Sequence, residues 1–188
     1  MSQAKTLTLA EVEQMLQYVA QQSYAVRNRV MFLTGLWSGM RVGEIASLTV
    51  GDVMNTDNSI KAEVRLSAEQ TKGRQPRTVF LPQKLRDELA AYMKLRTEAQ
   101  PKHPLFVTAG RRAFSANVMA QHFYYLFKRA GIAGASSHSM RRTFITTLAT
   151  KGIGVRVLAS LAGHRSIAVT QRYIDVNDEM KRNAVEMV

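Results

Sequence analysis

His138 and Arg141 stand three residues apart at the head of the helical stretch "HSMRRTFITTLATKG". That spacing puts both side chains on one face of a helix. A helix N-terminus adds free amide donors and the positive end of the dipole. An imidazole, a guanidinium and a helix start suit an anion such as a phosphate. The same pair also fits a histidine that merely caps a core helix. A metal is a poorer fit, because the chain has four His and no carboxylate at ligand spacing from His138.

In "TGLWSGMRVGEIASL", Arg41 and Glu44 repeat the three-residue spacing at another helix start. As a surface ion pair this is worth at most ~1 kcal/mol. An arginine at a helix N-terminus is nonetheless on the wrong side of the dipole, which makes sense where Glu44 orients it toward an incoming phosphate. Phosphoryl transfer without a metal needs cationic donors, a nucleophile and an acid for the leaving oxygen. Arg41 and Arg141 can each give two parallel hydrogen bonds to phosphate. His138 and His164 add donors or proton shuttles. Lys72, in the turn "SAEQTKGRQPRT", could protonate a leaving alkoxide. Tyr173 stands nine residues after His164 in "LAGHRSIAVTQRYI". It is either a core tyrosine or an oxygen nucleophile, whose ordinary pKa of about 10 two guanidiniums would lower. Arg74 and Arg77 read as solvated residues of the basic turn.

The elements that must hold these residues follow from periodicity. "TLAEVEQMLQYVAQ" has a capping-box pair, Thr8 and Glu11, and an apolar stripe of Val12, Met15, Leu16 and Val19. Residues 26–37 are apolar nearly all round, hence a buried helix, and "RVGEIASL" starts a third. The stretches "LTVGDV", "SIKAEVRLS" and "RTVFLP" alternate between turn residues and predict a small antiparallel sheet. Helices follow over 83–98, 115–130, 138–151, 154–162, 166–174 and 177–186, with "PLFV" extended between the first two. In the last of them, Asn177 would cap a stripe of Met180, Ala184 and Met187. A helix that short is marginal alone, so it would have to dock, its own domain being the first surface to hand. The fold class is therefore α+β, mainly α-helical with one small antiparallel sheet, over a single domain at residues 1–188.

Composition narrows the partner. The 188 residues include 26 Lys and Arg against 14 Asp and Glu, a net charge of +12. Residues 1–60 hold four basic and five acidic groups, so the whole excess lies in residues 61–188. A polyanion, nucleic acid first, is the matching partner; a merely solubilising basic surface is the alternative. There is no cysteine, so disulfides and thiolate chemistry are excluded. No apolar run reaches spanning length and no signal peptide is visible, which points to a cytoplasmic protein with no membrane partner.

Taken in order, Arg41, Lys72, His138-x-x-Arg141, His164 and Tyr173 resemble the tyrosine recombinase (phage integrase) family, in matching segments spread from about residue 8 to the end. The resemblance implies the catalytic-domain fold of that family, with Tyr173 as the nucleophile that becomes joined to the 3′ end of a cut strand. It implies Arg41 and Arg141 as the phosphate clamp, Lys72 as general acid, His138 and His164 as donors or proton carriers, and Glu44 as support for Arg41. Arg74, Arg77, Arg142 and Arg165 would be DNA-binding. No metal or other cofactor is implied. The partner would be double-stranded DNA, bound by a homotetramer that is a monomer when free, in a bacterial or phage-encoded, nucleoid-associated setting. The family's N-terminal clamp domain is expected to be absent. A type IB-like topoisomerase and a DNA-binding regulator without catalysis are the competing readings.

Overall fold

The computed structural model describes residues 4–174 and 178–186. Its first helix, α1 (Leu9–Ala20), begins where the sequence says it should. The Thr8 hydroxyl accepts from Glu11 N at 3.2 Å, and the Glu11 carboxylate accepts from Thr8 N at 3.0 Å. Met15 and Val19 are its fully buried residues. Helix α2 (Ala25–Ser38) is the central rod, with Val30, Met31, Phe32 and Leu33 all at 0% exposure. It stops at Gly39, whose φ of +65° is left-handed. A side chain there would also lie 2.4 Å from the Phe144 ring, so glycine serves both the turn and the close approach of the next layer.

Two short helices follow, α3 (Val42–Ser47) and α4 (Val50–Val53). The second corrects an expectation: "LTVGDV" is not a strand. Thr49 and Asp52 have capping spacing, and the Asp52 carboxylate accepts from Thr49 N at 2.8 Å. This local closure overrides the alternating pattern. The sheet therefore has two strands, β1 (Glu63–Leu66) and β2 (Arg77–Phe80), antiparallel with Val64 opposite Val79 and Leu66 opposite Arg77. Residues 67–76 connect them. Thr71 is buried there; its Oγ1 donates to Gln75 O at 2.8 Å and accepts from Gln75 N at 3.0 Å, which shapes the turn that carries Lys72.

Helices α5 (Gln83–Met93), α6 (Ala116–Arg129) and α7 (Ser137–Thr150) close around α2. Leu85 and Leu89, Met119, Phe123 and Phe127, and Met140 and Ile145 supply their buried faces. Phe32 and Phe127 meet edge to face at 6.1 Å. Helices α8 (Val155–Ala162), α9 (Ile167–Gln171) and α10 (Asp178–Val185) complete the chain. In α10, Lys181, Arg182, Ala184 and Val185 are exposed. Asn177, Met187 and the Met180 side chain, on which the expected cap and stripe depend, lie outside the described residues.

One buried polar knot has a measurable consequence. Asn28 Oδ1 accepts from Arg27 Nε at 3.1 Å and lies 3.0 Å from His122 Nε2. Burial, then the charge of Arg27, pushes His122 down to about 4. Its ordinary value is about 6.5. The unfolded chain therefore binds a proton that the folded one refuses between pH ~6.5 and 4, and stability falls as pH drops through that window. Calorimetry should show the melting temperature falling from pH 7 to pH 5, and His122→Gln should flatten the slope. An unchanged slope in the variant would remove His122 from the effect.

Candidate active site

The site is organised by the end of α8. Gly163 takes a left-handed φ of +61°. Gly163 N then donates to Ser160 O at 3.0 Å and His164 N to Ala159 O at 2.9 Å, a Schellman closure. This leaves three successive carbonyls without an intrahelical partner, and each is taken by a guanidinium. Arg77 Nη1 donates to Leu161 O at 2.8 Å, Arg141 Nη2 to Ala162 O, and Arg41 Nη2 to Gly163 O at 3.3 Å. The negative end of the helix dipole faces all three cations.

Glu44 binds two of these arginines from the other side. It is 1% exposed. Its carboxylate accepts from Arg41 N at 2.7 Å, from Arg41 Nη1 at 3.0 Å and from Arg77 Nη2 at 2.8 Å. Burial would raise its pKa; the hydrogen bond and charge of Arg77, then those of Arg41, outweigh that and hold it below the usual carboxylate value. The solvated reading of Arg77 is thus corrected: its guanidinium points inward and is locked to Glu44. Arg141, 5% exposed, also donates to Gly39 O at 2.7 Å. Burial, then the charges of Arg41 and Arg77, pushes it down to about 9, so it remains a cation at neutral pH.

Nine residues separate His164 from Tyr173 because the chain goes out and back. Ser166 caps the five-residue α9, accepting from Ala168 N at 3.3 Å. After α9, Tyr173 N donates to Thr170 O at 2.9 Å. The two rings then stack, with centroids 5.6 Å apart and planes 20° apart. Arg142 lies over the same tyrosine ring at 5.3 Å and is held by a 3.0 Å bond from its Nε to Thr6 Oγ1. Burial, then Arg141, Arg41 and Arg77, pushes His164 down to about 4, so its imidazole is neutral at pH 7.

A cleft of about 590 Å³ is lined by Arg41, Lys72, His138, Arg141, His164 and Tyr173 together, with Arg142 and Arg172 also on its wall. His138, in the first turn of α7, and Lys72, on the β1–β2 turn, are exposed. Arg165 lines an adjoining cleft of about 490 Å³, where its Nη2 donates to Gly73 O beside Lys72. Arg74 is exposed at a left-handed φ of +50° and lines neither cleft. Sequence reasoning passed over Arg172 and two positions that shape the site, Gly163 and the buried Thr170. The glycine had a signal, a Gly just past an apolar helix end; the threonine, six residues beyond His164, had none. Among the described residues no three His, Cys, Asp or Glu side chains gather as a metal site requires.

Gly163 gives a direct test of this layout. An added Cβ would lie 2.6 Å from Arg77 Cδ. Gly163→Ala must also accept a left-handed backbone at a cost of roughly 1–2 kcal/mol. Chemical denaturation should register that loss and more, since Arg77 must leave Leu161 O. A variant as stable as the parent would contradict the Arg77 packing.

Guanidiniums converging beside a phenol and a neutral imidazole offer the cationic donors and the oxygen nucleophile that phosphoryl transfer calls for, and they are set in a mainly helical domain with a two-stranded sheet. Residues 5–180 match the model of the phage integrase family, and the chain belongs to that family. It is 29% identical over 185 residues to the tyrosine recombinase XerA of Pyrococcus furiosus, covering 97% of this chain and 61% of that protein. The chain thus spans less than two thirds of that relative's length. A crystal structure of XerA recombinase superposes with a TM-score of 0.79 at 24% identity, over 100% of this chain and 66% of the other. The Tn1549 transposon integrase, in complex with a circular intermediate DNA, gives 0.77 at 20% identity over 100% and 67%. The fold is that of tyrosine recombinase catalytic domains. Among the described residues no helix is long and apolar enough to cross a membrane.

Proposed function

We propose that this chain cuts and rejoins double-stranded DNA in site-specific recombination, through a 3′-phosphotyrosyl intermediate. The observation that carries the reading is the gathering of Tyr173, stacked on His164, with Arg41 and Arg141 in one cleft. Tyr173 Oη attacks the scissile phosphorus and the bond to the 5′ oxygen breaks. Lys72 gives that oxygen its proton, and His138 takes the proton of the phenol. Arg41 and Arg141 hold the non-bridging oxygens and stabilise the charge that builds on them. The phosphotyrosyl bond conserves the energy of the broken linkage, so the free 5′ hydroxyl of a partner strand reverses the step without a metal or a nucleotide. Two rounds of exchange need four active sites, hence a homotetramer on DNA from a protein that is monomeric when free. The excess of positive charge after residue 60 supports binding to the DNA backbone.

The test is covalent capture. A library of nicked duplexes with randomised cores releases a short strand on cleavage and prevents religation. A denaturant-resistant, protease-sensitive protein–DNA adduct is expected, at equal yield with and without EDTA. Recombinant product from the captured sequences distinguishes recombination from topoisomerase-like relaxation. No adduct anywhere in the library would overturn the catalytic reading.

A further inference from the structure

We propose that Thr170 is a positioning residue whose hydroxyl donates to His164 Nδ1, fixing the imidazole's proton on Nε2, the nitrogen left for the cleft. Thr170 is 0% exposed, and its Oγ1 lies 2.8 Å from His164 Nδ1. Either atom could be the donor across that distance, and the surroundings decide which. Two other buried helical threonines return their hydroxyl proton to the carbonyl four residues back, Thr34 to Val30 at 2.7 Å and Thr143 to Ser139 at 2.8 Å. Thr170 makes no such bond; among the described residues His164 Nδ1 is its hydroxyl's only partner. If Nδ1 carried the proton, it would donate to Oγ1, and the hydroxyl's own hydrogen would be buried without an acceptor. Such an orphan costs roughly 1–3 kcal/mol. With the hydroxyl as donor both groups are satisfied.

The arrangement requires a neutral ring. Arg41 from the start of α3, Arg77 from β2 and Arg141 from α7 all oppose a positive His164, and Tyr173 stacks on it. Lys72 adds a further cation on the same cleft. A neutral imidazole with Nδ1 occupied can offer only an N–H from Nε2. His164 is thereby a hydrogen-bond donor to a phosphate oxygen and is unavailable as a base toward the Tyr173 phenol. Thr170 ties the two rings together as well, since its carbonyl accepts from Tyr173 N at 2.9 Å.

The catalytic consequence rests on the recombinase reading; the tautomer does not. Nitrogen-15 NMR of the imidazoles in the free protein at pH 7 reads the tautomer without DNA. The parent and Thr170→Ser should show His164 protonated at Nε2, with Nδ1 accepting a hydrogen bond. Thr170→Val, which keeps the shape and removes the donor, should lose the hydrogen-bonded Nδ1 signature. On captured duplexes, Thr170→Val should bind with unchanged affinity and cleave roughly 10- to 100-fold more slowly, the range typical when a residue that orients an imidazole is removed. Thr170→Ser should restore the rate. A parent spectrum with the proton on Nδ1 would overturn the proposal, as would normal cleavage by Thr170→Val. If the valine variant does not fold, the parent and serine spectra still decide. If the parent forms no adduct, the recombinase reading fails while the spectra still judge Thr170.

Discussion

Tyr173→Phe is expected to abolish the covalent protein–DNA adduct and leave DNA binding unchanged. The substitution removes one oxygen and keeps the ring. The stack on His164 at 5.6 Å and the contact with Arg142 at 5.3 Å are properties of that ring, so the local structure persists. What disappears is the atom that would form the bond to phosphorus. The other tyrosines are elsewhere: Tyr92 is buried with its hydroxyl donating to Leu105 O at 3.1 Å, and Tyr124 and Tyr125 pair on the outer surface of α6. Denaturing electrophoresis after incubation with nicked DNA measures the adduct, and a mobility shift at matched salt measures binding. Adduct formation by the Phe variant would mean that another residue is the nucleophile.

Arg141→Lys should lower the rate of cleavage of bound DNA by at least about 100- to 1,000-fold, the usual loss when one preorganised donor to a developing charge is removed. Lysine cannot restore it, because a single ammonium cannot serve Gly39 O, Ala162 O and a phosphate in the fixed fork of a guanidinium. Arg141→Ala adds a stability penalty, since those two carbonyls lose a buried donor at roughly 1–3 kcal/mol for a group left unsatisfied. Arg41 provides the contrast. Its side chain is 31% exposed, so Arg41→Ala should slow cleavage with a much smaller change in melting temperature. Single-turnover kinetics beside thermal melts separates the two effects. Near-normal cleavage by Arg141→Lys would remove it from the phosphate clamp.

The sequence revealed most of what is local. The Thr8–Glu11 box and the all-round apolar α2 each carry their own signal within a few residues. "LTVGDV" misled because two local signals compete there, and the Thr49–Asp52 cap prevails over alternation. Arg77 misled for a different reason. Placed in a basic turn it reads as solvated, yet it stands two residues before buried Val79 and opposite buried Leu66, so the strand's period of two turns it inward. The predicted strand "RTVFLP" already carried that register; what the sequence hid was the inward partner, Glu44, 33 residues away. The six polar positions were legible as a set because phosphate chemistry limits the residue types. The meeting of Arg41, Arg77 and Arg141 on the last turn of α8 was not, since backbone carbonyls have no letter in a sequence.

That turn also makes the arginines depend on one another. Three guanidiniums and His164 all depend on the same few carbonyls and amides at the end of an eight-residue helix. Loosening that turn takes a partner from each of them at once, although Glu44 still holds Arg41 and Arg77, and Gly39 O still holds Arg141. The end of one short helix therefore couples residues brought in from α3, β2 and α7, which are far apart in the chain.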